Sequence, residues 1–147
     1  MTPSNRTILL VEDSDDDFVA AMRAFSKAGL ANPIQRCPDG DTALDYLYQR
    51  KHFAEPAQSP RPGIILLDLN LPAMDGREVL RVIKDDIDLK KIPVIVLTTS
   101  GAKRDIEESY AAGANSYVQK PVNLSKFVEA MALIRSYWLE SVILPQY

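Results

Sequence analysis

The sequence contains 147 residues, of which 46% are hydrophobic and 25% are charged, as is typical of one globular domain with a sizeable core. The formal net charge of −3 argues against a broad nucleic-acid-binding surface. The single cysteine, Cys37, excludes an internal disulfide and fits a reducing compartment. Residues 1–6 lack the apolar core of a signal peptide, and no apolar run is long enough to span a bilayer. We therefore expect a cytoplasmic protein that does not insert into membranes.

The first half of the chain predicts three strands, two helices and one long connection. The strands cover residues 7–11, 33–37 and 64–68, and the register of the second is weakly defined. Ser14 is suited to cap the first helix, because its hydroxyl can accept from a backbone N–H and three acidic residues follow it. A second helix follows the Asp39-Gly40 turn. Residues 51–63 contain three prolines and a glycine, which is typical of a loop.

The second half continues the same alternation of strands and helices. It predicts a helix after the 72–76 turn, a strand at 93–98, a helix at 103–112 and a strand at 116–119. A final helix, capped by Asn123, carries an apolar stripe of Phe127, Met131, Ile134 and Trp138. The β-α order repeated five times predicts a flavodoxin-like α/β fold. Its doubly wound parallel sheet would have five strands in the order 2-1-3-4-5.

Polar residues stand at the ends of four of these predicted strands. Asp68 ends the apolar run Ile64-Ile65-Leu66-Leu67, and Glu12-Asp13, Thr98 and Lys120 end three others. In parallel α/β folds the carboxyl ends of the strands form one edge, where ligands bind. We therefore expect these side chains to meet at one site.

The residue types at this site favour phosphoryl chemistry. Clustered carboxylates repel each other and need a divalent cation, and oxygen ligands with an open face suit Mg²⁺. One carboxylate can then act as a nucleophile toward phosphorus and form an aspartyl phosphate. Lys120 can neutralise one phosphoryl oxygen, and the Thr98 hydroxyl can donate to another. No histidine or cysteine is needed, and none is well placed.

These residues resemble the receiver domain of two-component response regulators across roughly residues 6–140. The matching pieces are Leu10-Val11-Glu12-Asp13, Leu67-Asp68-Leu69-Asn70-Leu71-Pro72, Met74-Asp75-Gly76, Leu97-Thr98-Thr99 and Lys120-Pro121. The resemblance is specific because their order and spacing match together. It implies a response regulator in a two-component phosphorelay, a phosphoprotein that would not be an enzyme beyond accepting and losing its own phosphoryl group.

The resemblance also assigns roles to individual residues. It implies that Asp68 accepts the phosphoryl group from the phosphohistidine of a histidine kinase, and that Thr98 and Lys120 sense that group. Mg²⁺ would be held by Asp13, Asp68 and the backbone carbonyl of Asn70, with Glu12 acting through a metal-bound water. Tyr117 matches the family's aromatic rotamer switch, and the Lys120–Pro121 bond its usual cis peptide. The output would be a changed surface formed by helix 4, strand 5 and helix 5.

The chain is also similar to small single-domain regulators that partner bacterial, cyanobacterial-type phytochrome kinases. The similarity lies in the 51–63 loop, in the run from Leu69 to Leu80 and in the tail from Tyr137 to Pro145. It implies a phytochrome-type histidine kinase as partner and a homodimer. We predict one receiver domain over 1–147, with a core at 6–140, an apolar tail at 141–147 and no output domain. Trp138 and the apolar tail are the expected interface with another chain.

Several conspicuous residues have plainer interpretations. The run Asp15-Asp16-Asp17 is expected to be a solvated first helical turn. Arg77 and Lys103 are expected to be surface charges. Cys37 is expected to be a small core residue rather than a nucleophile, since no basic partner is evident.

Three alternatives compete with the receiver interpretation. A pseudo-receiver would keep the fold as a non-phosphorylated binding module, but the acidic set is complete here. A haloacid-dehalogenase-type phosphatase would carry a second aspartate two residues after the nucleophile, where this chain has Asn70. A flavin-binding protein of similar fold would need a hydroxyl- and glycine-rich loop after strand one, and Glu12-Asp13-Ser14-Asp15 would repel a phosphate there.

Overall fold

The computed structural model describes residues 6–146, in which five parallel strands form one sheet ordered β2-β1-β3-β4-β5. The strands are β1 (Ile8–Val11), β2 (Ile34–Cys37), β3 (Ile64–Leu67), β4 (Val94–Thr98) and β5 (Ser116–Gln119). The predicted fold class and strand order are therefore confirmed. The strand order reverses between β1 and β3, so the crevice of a doubly wound sheet lies at the carboxyl ends of these two strands.

Within residues 6–146, five α-helices connect and flank the strands. They are α1 (Asp15–Lys27), α2 (Gly40–Leu47), α3 (Gly76–Asp85), α4 (Lys103–Ala111) and α5 (Leu124–Ile134). The predicted caps are present: the Ser14 side chain accepts from the Asp17 N–H, and the Asn123 side chain accepts from the Lys126 N–H. No helix within residues 6–146 combines the length and the apolar character that crossing a membrane requires.

The sheet separates two hydrophobic cores, because successive side chains of each strand point to opposite faces. Leu9, Val11, Ile65 and Leu67 face α2 and α3. Ile8, Leu10, Ile64 and Leu66 face α1 and α5. With both faces covered, β1 and β3 are entirely buried, which explains their uninterrupted apolar sequences.

The end of α5 differs from the prediction. The apolar stripe predicts an α-helix that continues through Trp138, but residues Arg135–Ser141 form a π-helical segment. A π turn contains about one more residue than an α turn. The core position therefore moves from Trp138, which is half-buried, to Leu139, which is fully buried.

The apolar tail, which is expected to serve as an interface, packs in part on its own chain. Leu144 is buried in the core that contains α1 and α5, and the Arg6 guanidinium donates to the Pro145 carbonyl at 3.1 Å. Ile143 alone in this segment is a strongly exposed large apolar residue, at 91%. The described part of the tail, residues 141–146, therefore packs largely on its own chain, while Tyr147 lies outside the described residues.

Candidate functional site

Three carboxylates converge at the carboxyl edge of the sheet. Glu12 and Asp13 follow β1, and Asp68 follows the neighbouring strand β3. Each offers an oxygen within 4.8 Å of an oxygen from each of the other two. Glu12 and Asp68 are only 2% and 7% exposed, whereas Asp13 is exposed. The predicted acidic site is therefore assembled, with one carboxylate open to solvent.

The position of Asp68 is fixed by its backbone and by the loop behind it. Its N–H donates to the Val11 carbonyl at 3.1 Å and so extends the β1–β3 ladder by one residue. Its carboxylate accepts from the Asn70 N–H at 3.1 Å. Behind it, a Cβ added at Gly76 would lie 2.2 Å from the Asp68 carbonyl oxygen. Residue 76 is therefore glycine because α3 begins directly against the backbone of Asp68.

Lys120 is the cation of this site. Its backbone N–H donates to the Thr98 carbonyl at 2.7 Å, which places the side chain over the carboxylates. Its Nζ forms a short hydrogen bond with Glu12 and lies 3.4 Å from Asp68 and 3.6 Å from Asp17. Burial alone would lower the pKa of Lys120, but the Glu12 hydrogen bond and the carboxylate charges raise it above its ordinary value. Lys120 is therefore held as an ammonium.

The pKa of Glu12 is also raised, but here burial is the main cause. Its burial raises the pKa of the carboxyl, and the nearby charge of Asp68 raises it further. The hydrogen bond and charge of Lys120 act against this rise. Two buried carboxylates and one ammonium thus share a region from which water is largely excluded. A second cation would relieve the remaining repulsion.

The donor set fits a divalent metal ion. All three side chains supply carboxylate oxygens, and oxygen is the ligand that Mg²⁺ and similar hard cations prefer. The exposed Asp13 leaves an open side through which a phosphate could reach such an ion. Glu12, Asp13 and Asp68 are therefore suited to a divalent cation that keeps free coordination positions.

Thr98 is the last residue of β4 and is fully buried. Its hydroxyl has no hydrogen-bond partner within residues 6–146. Buried hydroxyls are nearly always paired, because an unpaired one loses its hydration without compensation. The Thr98 hydroxyl is thus available as a donor to a group that enters the site.

Tyr117, on β5, is half-buried and packs against the core that contains α2 and α3. Its hydroxyl donates to the Ser100 carbonyl at 2.9 Å. Ser100 lies two residues after Thr98, in the loop between β4 and α4. The predicted threonine and tyrosine are therefore connected through a short stretch of backbone.

Arg77 was predicted to be a surface charge, and this prediction is wrong. Its guanidinium contacts Asp105 on α4 at 2.6 Å and Asp75 at 3.0 Å. The Ser100 hydroxyl donates to the same Asp105 carboxylate at 2.5 Å. No sequence signal pointed to this network, because Arg77 and Asp105 are separated by 28 residues.

Two further residues have contacts that the sequence did not indicate. Arg36, on β2, donates to the carbonyls of Glu12 and Asp13 at 3.0 and 3.2 Å and to the Asp15 carboxylate at 2.8 Å. It therefore braces the loop that carries the acidic pair. Asp17 reaches Lys120, so the Asp15–Asp17 run is not merely a solvated turn.

Two other expectations about single residues can be compared with the structure. Cys37 is fully buried, which confirms it as a core residue, and this burial raises the pKa of its thiol to about 12. The cis peptide expected at Lys120–Pro121 is absent, as no peptide bond within residues 6–146 is cis. The free-energy difference between the two isomers of a bond before proline is small, so sequence alone decides it poorly.

Comparison with known proteins identifies the family. The model of the response regulator receiver domain matches residues 8–132. The chain belongs to the response regulator receiver family. It is 44% identical over 140 residues to the response regulator Rcp1 of Synechocystis sp., covering 95% of this chain and 93% of Rcp1.

Solved structures of related regulators have the same fold. RPA3017, from red light signalling of R. palustris, superposes with a TM-score of 0.92 at 37% identity, covering 97% of this chain and 99% of RPA3017. The phosphorylated cyanobacterial phytochrome response regulator RcpA has a TM-score of 0.88 at 40% identity, with the same shares covered. Rcp1 has been solved in a Mn²⁺-bound form, with a TM-score of 0.85 at 42% identity, covering 96% of this chain and 99% of Rcp1. This receiver chain is thus similar to the phytochrome response regulator RcpA and to Rcp1, which was solved with a divalent metal bound.

Proposed function

We propose that this receiver is activated by phosphorylation and that Asp68 accepts the phosphoryl group from a histidine kinase. The observation that carries the proposal is the position of Asp68. Its carboxylate is 7% exposed at a strand end, lies 3.4 Å from the Lys120 ammonium and shares a cluster with Asp13 and Glu12. A carboxylate held this way is a candidate nucleophile with its charge-stabilising partners already in place.

In the proposed reaction an Asp68 carboxylate oxygen attacks the phosphorus of a kinase phosphohistidine. A P–O bond forms to Asp68, the P–N bond to the imidazole breaks, and the imidazole leaves with a proton. Lys120 then offers its ammonium to one phosphoryl oxygen, and the unpaired Thr98 hydroxyl donates to another. Hydrolysis of the acyl phosphate by water would return free Asp68 and inorganic phosphate.

The proposed cofactor is Mg²⁺. Asp13, Asp68 and the backbone carbonyl of Asn70 would hold it, with Glu12 acting through a bound water. When bound, Mg²⁺ would neutralise charge on the carboxylates and on the incoming phosphoryl oxygens. Lys120 would neutralise the charge of Glu12 both with and without Mg²⁺, since its short hydrogen bond is to Glu12 rather than to Asp13.

The output we propose is a changed surface of α4, β5 and α5. Movement of Thr98 toward the phosphoryl group would favour the arrangement of the following loop in which the Ser100 carbonyl accepts from the Tyr117 hydroxyl. Tyr117 would therefore act as the switch that reports the state of Asp68 to that surface. In this arrangement the signal leaves through contacts with a partner, and the only chemistry is on Asp68 itself.

The proposed partners are a phytochrome-type histidine kinase and a second copy of this chain. The kinase proposal rests on the similarity to RcpA and Rcp1. A cavity of about 320 Å³ beside Lys120, lined in part by Asp17, Phe127 and the fully exposed Val122, offers an apolar contact next to the phosphoacceptor. The dimer proposal rests on the exposed apolar residues Leu133 and Tyr137 near the end of α5.

A phosphotransfer assay tests the proposal. A phytochrome-type kinase labelled on its histidine is mixed with the receiver and Mg²⁺, and label on the receiver is followed over time. We expect rapid transfer to the wild type and to Asp41→Asn, an exposed carboxylate on α2, and none to Asp68→Asn. Undiminished labelling of Asp68→Asn would overturn the assignment.

A further inference from the structure

A network of polar side chains joins four elements beside the site. Arg77, near the start of α3, donates to Asp105 on α4 at 2.6 Å. The Ser100 hydroxyl donates to the other oxygen of Asp105 at 2.5 Å. The Ser100 carbonyl accepts from the Tyr117 hydroxyl of β5 at 2.9 Å. The loop after Asp68 and the loop after Thr98 are thus joined by ionic and hydrogen-bonded contacts rather than by apolar packing.

The network differs from an ordinary surface ion pair. The side chains of Arg77 and Asp105 are 24% and 19% exposed, whereas those of the Arg104–Glu108 pair on the same helix are 85% and 44% exposed. The hydrogen bonds from Ser100 and Arg77 lower the pKa of Asp105, so its carboxylate stays charged at neutral pH. Arg77 is also fixed by Asp75, the residue that caps α3. Partial burial and several partners make this contact stronger than an isolated exposed pair.

We propose that Arg77, Asp105 and Ser100 are positioning residues that clamp the β4–α4 loop in the conformation that receives the Tyr117 hydroxyl, and so set how readily the receiver responds at Asp68. The proposal rests on the proposed function, since the response it describes is phosphorylation of Asp68. It adds a set of residues that act on the switch without touching the phosphoryl group.

The clamp acts by changing the populations of two loop arrangements. The loop has at least two arrangements if Tyr117 is a switch, and any contact present in only one of them raises the fraction of that arrangement. The Ser100–Asp105 contact and the Tyr117–Ser100 hydrogen bond occur together in one arrangement of this loop. The apparent dissociation constant of a ligand that requires this arrangement equals its intrinsic constant divided by the fraction of molecules in the arrangement. Because the clamp raises that fraction, the ligand binds more tightly.

The test uses beryllofluoride, a phosphoryl mimic, with Mg²⁺ and the full chain. We expect Asp105→Asn to weaken beryllofluoride binding by about two- to fivefold, since asparagine keeps one oxygen acceptor and the variant loses only the charge of a partly exposed pair. The matched control, Glu108→Gln, breaks the exposed pair one turn away and should bind as the wild type does. Ser100→Ala removes only the hydroxyl contact and should change binding less, in the same direction.

A second readout separates a clamp from general destabilisation. The ring signals of Tyr117, assigned by NMR with Tyr117→Phe, should shift in Asp105→Asn without Mg²⁺ or beryllofluoride and stay unchanged in Glu108→Gln. Arg77→Gln should give the same shift, and the double variant Arg77→Gln with Asp105→Asn should add little to either single variant.

The outcomes distinguish this proposal from the proposed function. If the wild type fails to bind beryllofluoride, the proposed function fails, while the Tyr117 signals of the ligand-free variants still decide the clamp. Unchanged Tyr117 signals in Asp105→Asn would overturn the clamp, and so would tighter binding of beryllofluoride by that variant.

Discussion

Gly76 allows the sharpest single-residue test of how the fold holds Asp68. A Cβ at this position would lie 2.2 Å from the Asp68 carbonyl oxygen, 2.6 Å from the Leu69 Cα and 2.9 Å from the Leu69 carbonyl oxygen. All three atoms are backbone, so no side-chain rotation relieves the contact. Gly76→Ala must therefore push the start of α3 away from the loop that carries Asp68.

The size of the effect follows from two opposing contributions. Alanine favours a helix over glycine by about 1 kcal/mol, which would stabilise the variant. Overpacking a site costs about 1–3 kcal/mol, and the upper end applies here because only backbone can move. We therefore expect a net loss of about 2 kcal/mol in the free energy of unfolding, or a Tm lower by about 4–8 °C for a chain of this size. Mg²⁺ affinity should fall too, because Asp68 is displaced.

Gly101→Ala is the matched control for this experiment. The three atoms nearest to its added Cβ all belong to the end of the Gln119 side chain, which can rotate away. Urea unfolding and Mg²⁺ titration of both variants give the comparison. The reasoning is refuted if Gly76→Ala matches Gly101→Ala within about 0.5 kcal/mol and binds Mg²⁺ as the wild type does.

Three further predictions concern other parts of the fold. Lys120→Met should lower the free energy of unfolding by about 3 kcal/mol, because it leaves the Glu12 carboxylate buried without its cation. A decrease of less than about 0.5 kcal/mol in urea unfolding would contradict this prediction. Burial lowers the pKa of Lys84 from 10.5 to about 8, so the folded state binds its proton less well than the unfolded state. The difference in unfolding free energy between the wild type and Lys84→Met should therefore rise between pH 8 and 10.5. The expected rise is on the order of 2 kcal/mol, because Lys84 is partly exposed and the full shift in pKa is not realised. A difference that stays flat or falls over this range would refute the prediction. Leu144→Ala should lower the free energy of unfolding by about 2–3 kcal/mol, because the Leu144 side chain is buried. Ile143→Ala should lower it by less than about 0.5 kcal/mol, because Ile143 is 91% exposed. Equal decreases in Tm for the two variants would show that the tail does not pack on its own chain.

Strands β1, β3 and β4 were predictable because their residues are buried on both faces and so read as continuous apolar runs. The edge strand β2 gave a weaker signal, since Ile34–Cys37 is half-buried over most of its length. Helix caps such as Ser14 were predictable for a similar reason, as a cap is a local contact between residues three apart.

The convergence of Asp13, Asp68 and Lys120 could be predicted because parallel strands bring their carboxyl ends to one edge. The contacts of Arg77 and Arg36 could not be predicted, since a long side chain can reach several carboxylates. The carboxylate that it contacts depends on how the helices are positioned. The π-helical segment after α5 was missed because a stripe at α-helical spacing carries no mark of one inserted residue.

The central claim is that Asp68 is the phosphoacceptor, and mapping the modified residue tests it most directly. The receiver is treated with a small-molecule phosphodonor and Mg²⁺, quenched, digested and analysed by mass spectrometry. We predict a single added phosphoryl group on Asp68, absent when Mg²⁺ is withheld. A phosphoryl group on Asp13 or on any other residue, or an unmodified protein under these conditions, would contradict the account.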